Sequence, residues 1–61
     1  MPISGKDLVK LFLRYGYKII KKQGKGSHIK LRKEGKSTVI IPDHKELSKG
    51  LEKALRKILG N

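Results

Sequence analysis

The sequence predicts an α+β domain that runs helix, strand, strand, strand, helix, with both helices packed on one face of a three-stranded antiparallel sheet. Apolar residues recur at helical spacing near both ends of the chain, and three short segments with β-branched residues lie between them, separated by glycine-containing turns. These elements bury their apolar faces most simply in two layers. The 61 residues are therefore predicted to form one domain, residues 1–61.

The first helix is predicted to begin after Ser4. Ser4 and Asp7 have the spacing of a capping box, in which the serine hydroxyl accepts a hydrogen bond from the backbone three residues on. The residues predicted to form its core-facing stripe are Leu8, Leu11, Phe12 and Tyr15. Gly16 can adopt a positive φ and is predicted to end the helix.

Three strands are predicted over residues 17–22, 28–33 and 37–41. A glycine-rich loop at 23–27 joins the first two strands, and a tight turn at 34–36 makes a hairpin of the second and third. Pro42 is predicted to end the third strand because proline cannot donate a ladder hydrogen bond.

The second strand separates an apolar face from a basic one. Strand alternation places Ile29 and Leu31 toward the core and His28, Lys30 and Arg32 on the opposite face. That face offers a polyanion two positive charges and an imidazole, a group that moves protons near neutral pH. We therefore expect the chemistry of the protein to lie there.

The last helix is predicted to follow a polar connector at 43–47, with Ser48 as its N-cap and Gly60 as its end. Its apolar residues at helical spacing are Leu51, Ala54, Leu55, Ile58 and Leu59.

Sixteen Lys and Arg residues against five Asp and Glu give a formal net charge of +11. This imbalance favours a polyanionic partner, and nucleic acid over a membrane because neither helix has a bulky face that would insert into lipid. A purely solvated basic surface stays open as an alternative. The absence of cysteine and of any apolar run longer than three residues fits a cytoplasmic protein with no membrane segment.

Three ordered motifs then suggest a family: Gly26-Ser27-His28 before a strand, Val39 to His44, and Glu46 to Leu51 before the last helix. Together they resemble the HicA family of small mRNA-cleaving toxins, over about Ser4 to Gly60. The resemblance implies a fold similar to a double-stranded RNA-binding domain, ribonuclease activity on mRNA, and a HicB-type antitoxin that covers the site. It also implies that His28 is catalytic. Ile29 stands where many members have a second histidine.

The chemistry expected at this site needs no cofactor. RNA carries its own nucleophile, the 2′-OH, so that His28 would supply proton transfer while neighbouring cations hold the phosphate. The predicted RNA-binding residues are Lys25, Gly26, Ser27, Lys30 and Arg32. The five acidic residues are scattered along the chain, which predicts no dedicated metal site.

Several alternatives stay open at this point. The protein could be a noncatalytic RNA-binding module of the same fold, with His28 an ordinary surface residue. His44 is interpreted as fixing the connector into the last helix, or as lying at the edge of an RNA groove, rather than as transferring protons. Tyr15 and Tyr17 are interpreted as core or core-rim residues rather than base-stacking ones. No helix-turn-helix spacing supports DNA binding.

Overall fold

The computed structural model describes residues 2–22 and 28–60, apart from the side chain of Lys22. The elements are α1 (Gly5–Arg14), β1 (Lys18–Lys22), β2 (His28–Arg32), β3 (Val39–Pro42) and α2 (Lys49–Ile58). The strands form one antiparallel sheet in the order β1-β2-β3. The predicted α-β-β-β-α architecture is confirmed, and this order agrees with that of a double-stranded RNA-binding domain.

Both helices begin at the predicted serine caps. The Asp7 backbone N–H donates to Ser4 Oγ at 3.1 Å, and the Leu51 backbone N–H donates to Ser48 Oγ at 3.2 Å. Each cap satisfies a backbone donor that has no partner within its own helix, which stabilises a helix by about 1 kcal/mol. Gly16 follows α1 with a φ of 94°, as predicted for a residue that ends the helix.

The third strand begins two residues later than the sequence predicts. Leu31 pairs with Val39, so the hairpin connection extends to residue 38 and Ser37 and Thr38 lie outside β3. The first half of this connection is a turn in which the Lys36 N–H donates a hydrogen bond to the Lys33 carbonyl at 3.0 Å. The wider connection also leaves Lys33 outside β2.

The core lies between one face of the sheet and the two helices. Its buried side chains are Leu8, Val9, Phe12, Tyr17, Ile29, Leu31, Val39, Ile41, Leu47 and Leu55. The rings of Phe12 and Tyr17 meet edge to face with centroids 5.0 Å apart. Burial of Tyr17 agrees with the prediction. Tyr15 is 38% exposed, because α1 has ended and the chain turns toward β1 at that point.

The connector before α2 is more than a polar linker. Leu47 is buried, and its N–H donates to the Ile3 carbonyl at 2.9 Å. The Gly5 N–H donates to the His44 carbonyl at 2.8 Å, so the start of α1 and the connector are held together by backbone hydrogen bonds. Among the described residues, no helix is both long enough and apolar enough to cross a membrane.

Candidate nucleic-acid interface

The face of the sheet opposite the helices, here called the open face, is defined by strand register. Residues directly opposite each other in an antiparallel pair project to the same side. The open face comprises Lys18 and Lys21 of β1, His28, Lys30 and Arg32 of β2, and Ile40 and Pro42 of β3. Sequence alternation predicted the three residues of β2 on this side, and the structure places them there.

His28 is the first residue of β2 and is exposed to solvent. It lies opposite Pro42 of β3, and its neighbour Ile29 is only 3% exposed, packed in the core. The two adjacent positions therefore differ completely in environment. Position 28 presents its side chain to an incoming molecule, whereas position 29 contributes to the stability of the domain.

The cations of β2 form a track that leads away from His28. Lys30 lies about 7 Å from His28 along the strand and Arg32 about 13 Å, from a rise of about 3.3 Å per residue. Lys30 is half-buried, and Arg32 is exposed at the other end of the strand. Lys30 is therefore the cation of β2 best placed to act beside His28, and Arg32 suits a more distant phosphate.

Two cations of β1, which were not assigned to the site from sequence, form a second row of positive charge beside the cations of β2. Lys18 lies opposite Arg32, and Lys21 lies opposite Lys30. Like charges directly opposite each other in a sheet are mutually destabilising, so an anion bound between them would relieve the repulsion. Lys21 reaches the open face because the register shifts at Ile20, whereas strict alternation from Lys18 would turn Lys21 toward the core.

Two exposed isoleucines, one on the open face and one at the bulge beside it, add an apolar component to this surface. Ile40 lies opposite Lys30 and is 52% exposed, and Ile20 is 51% exposed. An open depression near the hairpin turn is lined by Gly16, Lys18, Ile20, Arg32, Lys33 and Glu34. Apolar side chains beside cations provide a surface for the bases and riboses of a nucleic acid whose phosphates contact the cations.

The remaining predicted site residues fall elsewhere. Lys25, Gly26 and Ser27 lie outside the described residues. The side chain of His44 is exposed, and its backbone carbonyl, rather than its imidazole, accepts the Gly5 N–H in the connector. Within residues 2–22 and 28–60, no three His, Cys, Asp or Glu side chains lie together as a metal site.

Comparison with known proteins points to one family. Residues 5–60 match the model of a family described as the HicA toxin of bacterial toxin-antitoxin. The chain is also similar to a protein of Pseudomonas fluorescens (strain Pf0-1) named "Probable mRNA interferase HicA", with 56% identity over 39 residues. That alignment covers 61% of this chain and 63% of the relative, just under two thirds of the relative's length. No solved structure matches the chain significantly.

Proposed function

This chain belongs to the HicA toxin family of bacterial toxin–antitoxin systems, and from that premise we propose that it is an endoribonuclease that cleaves mRNA through His28. The observation that carries the proposal is the exposure of His28 on a cationic open face. The name of the Pseudomonas relative, an mRNA interferase, supports the same substrate class.

The environment of Ile29 supports the choice of His28 as the single catalytic histidine. A second histidine at position 29 would project into the apolar core, where no RNA reaches it. The departure from the two-histidine pattern therefore removes nothing from the open face. His28 is the histidine that a substrate on this face would meet.

The proposed reaction uses the ribose 2′-OH as the nucleophile. His28 accepts the 2′-OH proton as the O2′–P bond forms and the P–O5′ bond breaks, and the departing 5′-oxygen takes a proton from water. The products are a 2′,3′-cyclic phosphate and a 5′-hydroxyl. Proton transfer by a positioned side chain is typically worth about 10²–10⁴-fold in rate.

Among the described cations, Lys30 and Lys21 are proposed to bind the phosphate beside His28. Lys30 lies two residues after His28 on β2, and Lys21 lies opposite Lys30 on β1. They would offset the negative charge that develops on the phosphorane oxygens. Arg32 is proposed to bind a neighbouring phosphate. Lys25, Gly26 and Ser27 are proposed to contact RNA from the loop that precedes β2. The proposed reaction needs no metal or other cofactor.

The proposed partner is a HicB-type antitoxin that covers the open face and so excludes mRNA in the cytoplasm. An acidic protein surface with a small apolar patch would complement the cations and the exposed Ile20 and Ile40. Growth arrest on expression of this protein, relieved by co-expression of such an antitoxin, would support the assignment. Arrest that persists despite formation of the complex would contradict it.

Incubation of labelled mRNA with the purified protein in EDTA tests the nuclease proposal. We expect the wild type to cleave and His28→Ala to lose cleavage by at least about 10²-fold while it still binds RNA. His44→Ala is the matched control, because it removes the other histidine and should leave cleavage intact. Equal cleavage by wild type and His28→Ala would contradict the proposal. Binding of duplex RNA without cleavage by either protein would favour the noncatalytic module instead.

A further inference from the structure

A second basic site lies on the opposite side of the molecule from His28, in a groove between α1 and α2. This helical groove is lined by Ile3, Asp7, Lys10, Leu11, Arg14 and Arg56. Both helices cover the core face of the sheet, so the groove and the open face look away from each other. Three cations from two helices converge there against two carboxylates, that of Asp7 and that of Glu52, which pairs with Arg56, and this leaves a net charge of +1.

The cations of α1 are spaced so that they repel one another along the helix. Lys6, Lys10 and Arg14 recur at four-residue spacing, and all three are exposed. Like charges at this spacing destabilise a helix. A polyanion bound along the helix would offset this repulsion, because it would attract all three cations.

Arg56 is held in a defined orientation by Glu52, one turn earlier on α2. Its Nε donates to Glu52 Oε2 at 2.8 Å, and the Glu52 side chain is only 22% exposed. This bond uses Nε alone, so the two terminal nitrogens of the guanidinium can donate to a second acceptor. A guanidinium fixed in this way suits the oxygens of a phosphate, which it can bind with two parallel hydrogen bonds.

From this convergence we infer that the helical groove binds the phosphate backbone of a second segment of the RNA, remote from the cleavage point. The inference rests on the proposed function for the identity of the polyanion. The domain measures 30 × 29 × 16 Å between Cα extremes, so an RNA that passes around its edge can contact both faces. The preferred substrate is then an RNA that continues well beyond the scissile phosphate.

Other helical cations do not make an equivalent site. Lys49, Lys53 and Lys57 also recur at four-residue spacing and are exposed, but they do not line the helical groove. They provide a matched comparison, because a variant that removes cations there changes the net charge of the protein without changing the groove. This comparison separates a built site from diffuse attraction.

The test measures binding of a labelled single-stranded RNA by His28→Ala protein, which leaves the RNA intact, over about 50–200 mM salt. The groove variant is Lys10→Gln/Arg14→Gln/Arg56→Gln, and the control with the same charge change is Lys49→Gln/Lys53→Gln/Lys57→Gln. We expect the groove variant to reduce the salt slope of log K by about 2, because each phosphate that a cation neutralises on a single strand contributes about 0.7 to the slope. The control should change it by much less. Lys10→Gln/Arg14→Gln, which leaves the Glu52–Arg56 pair intact, should reduce it by about 1.4.

Each outcome decides between the two proposals. Equal slopes in the groove and control variants would overturn the groove while leaving the nuclease proposal in place. The groove variant should lose less affinity for a short RNA that spans only the open face than for a long RNA, because the groove is inferred to bind a distant segment. An equal loss for both RNAs would also overturn the groove. Absence of any RNA binding would overturn both. Binding that depends on the groove, combined with cleavage that survives His28→Ala, would sustain the groove and reject the catalytic assignment.

Discussion

Gly5 fixes the start of α1 against the end of β3. A Cβ built on Gly5 would overlap the carbonyl oxygen of Pro42, which belongs to the backbone and cannot rotate away. The Gly5 N–H is meanwhile bonded to the His44 carbonyl, so the helix cannot retreat without losing that bond. The absence of a side chain at Gly5 therefore allows α1 to approach Pro42 at the end of β3. Pro42 is the residue that lies opposite His28.

Replacement of Gly5 by alanine should accordingly destabilise the protein. We expect Gly5→Ala to lower the free energy of unfolding by about 1–3 kcal/mol, the usual effect of forcing atoms into a filled space. Gly50→Ala is the control, since a Cβ there meets nothing within 4 Å and alanine favours the helix by about 0.5–1 kcal/mol. Urea unfolding measures both. If Gly5→Ala is as stable as the wild type, the close approach is absent in solution.

For single residues, the sequence predicts exposure and burial correctly where these follow from local alternation, and fails where they depend on distant contacts. His28, Lys30 and Arg32 were placed correctly because a regular strand turns alternate residues to opposite sides. Leu47 was assigned to a polar connector, since its burial depends on contacts with the distant N-terminal segment. The loop residues Lys25, Gly26 and Ser27 stay predictions.

Among the elements, β1 differs most from what a sequence pattern can predict. Its bulge at Ile20 arises from pairing with β2, and nothing in residues 18–22 alone specifies it. The helices were easier to predict, because their caps and apolar spacing are local properties. The hairpin connection was harder, because its width depends on the pairing of Leu31 with Val39.

The bulge leads to a prediction for RNA binding. Lys21→Gln in the His28→Ala protein should weaken RNA binding and reduce the salt slope by about 0.7, because Lys21 lies opposite Lys30 on the open face. Lys36→Gln, in the exposed hairpin turn, removes the same charge and should have little effect on the slope. A salt titration of both variants tests this. Indistinguishable slopes would mean that Lys21 contributes only to the overall charge.

At the scale of the whole molecule, the net charge of +11 sets the response to salt. Neighbouring cations face each other in the sheet at Lys18/Arg32 and Lys21/Lys30, and follow each other along α1. Each such pair destabilises the folded state by a few tenths of a kcal/mol in the absence of anions. The folded protein should therefore be least stable at low ionic strength.

We expect Tm to rise by about 4–8 °C between about 10 mM and 100 mM sodium chloride, which corresponds to about 1 kcal/mol in a domain of this size. Thermal unfolding followed by circular dichroism measures it. The variant Lys10→Gln/Lys21→Gln removes one charge from the helical groove and one from the open face, so its Tm should rise less with salt. A Tm that is independent of salt in the wild type would contradict the argument.

The 16 Å thickness of the domain also bears on how two copies meet. Stacked flat against one another, two molecules would bring lysines and arginines together whichever broad side each presented. Like-charge repulsion therefore disfavours flat stacking of two copies unless anions lie between them.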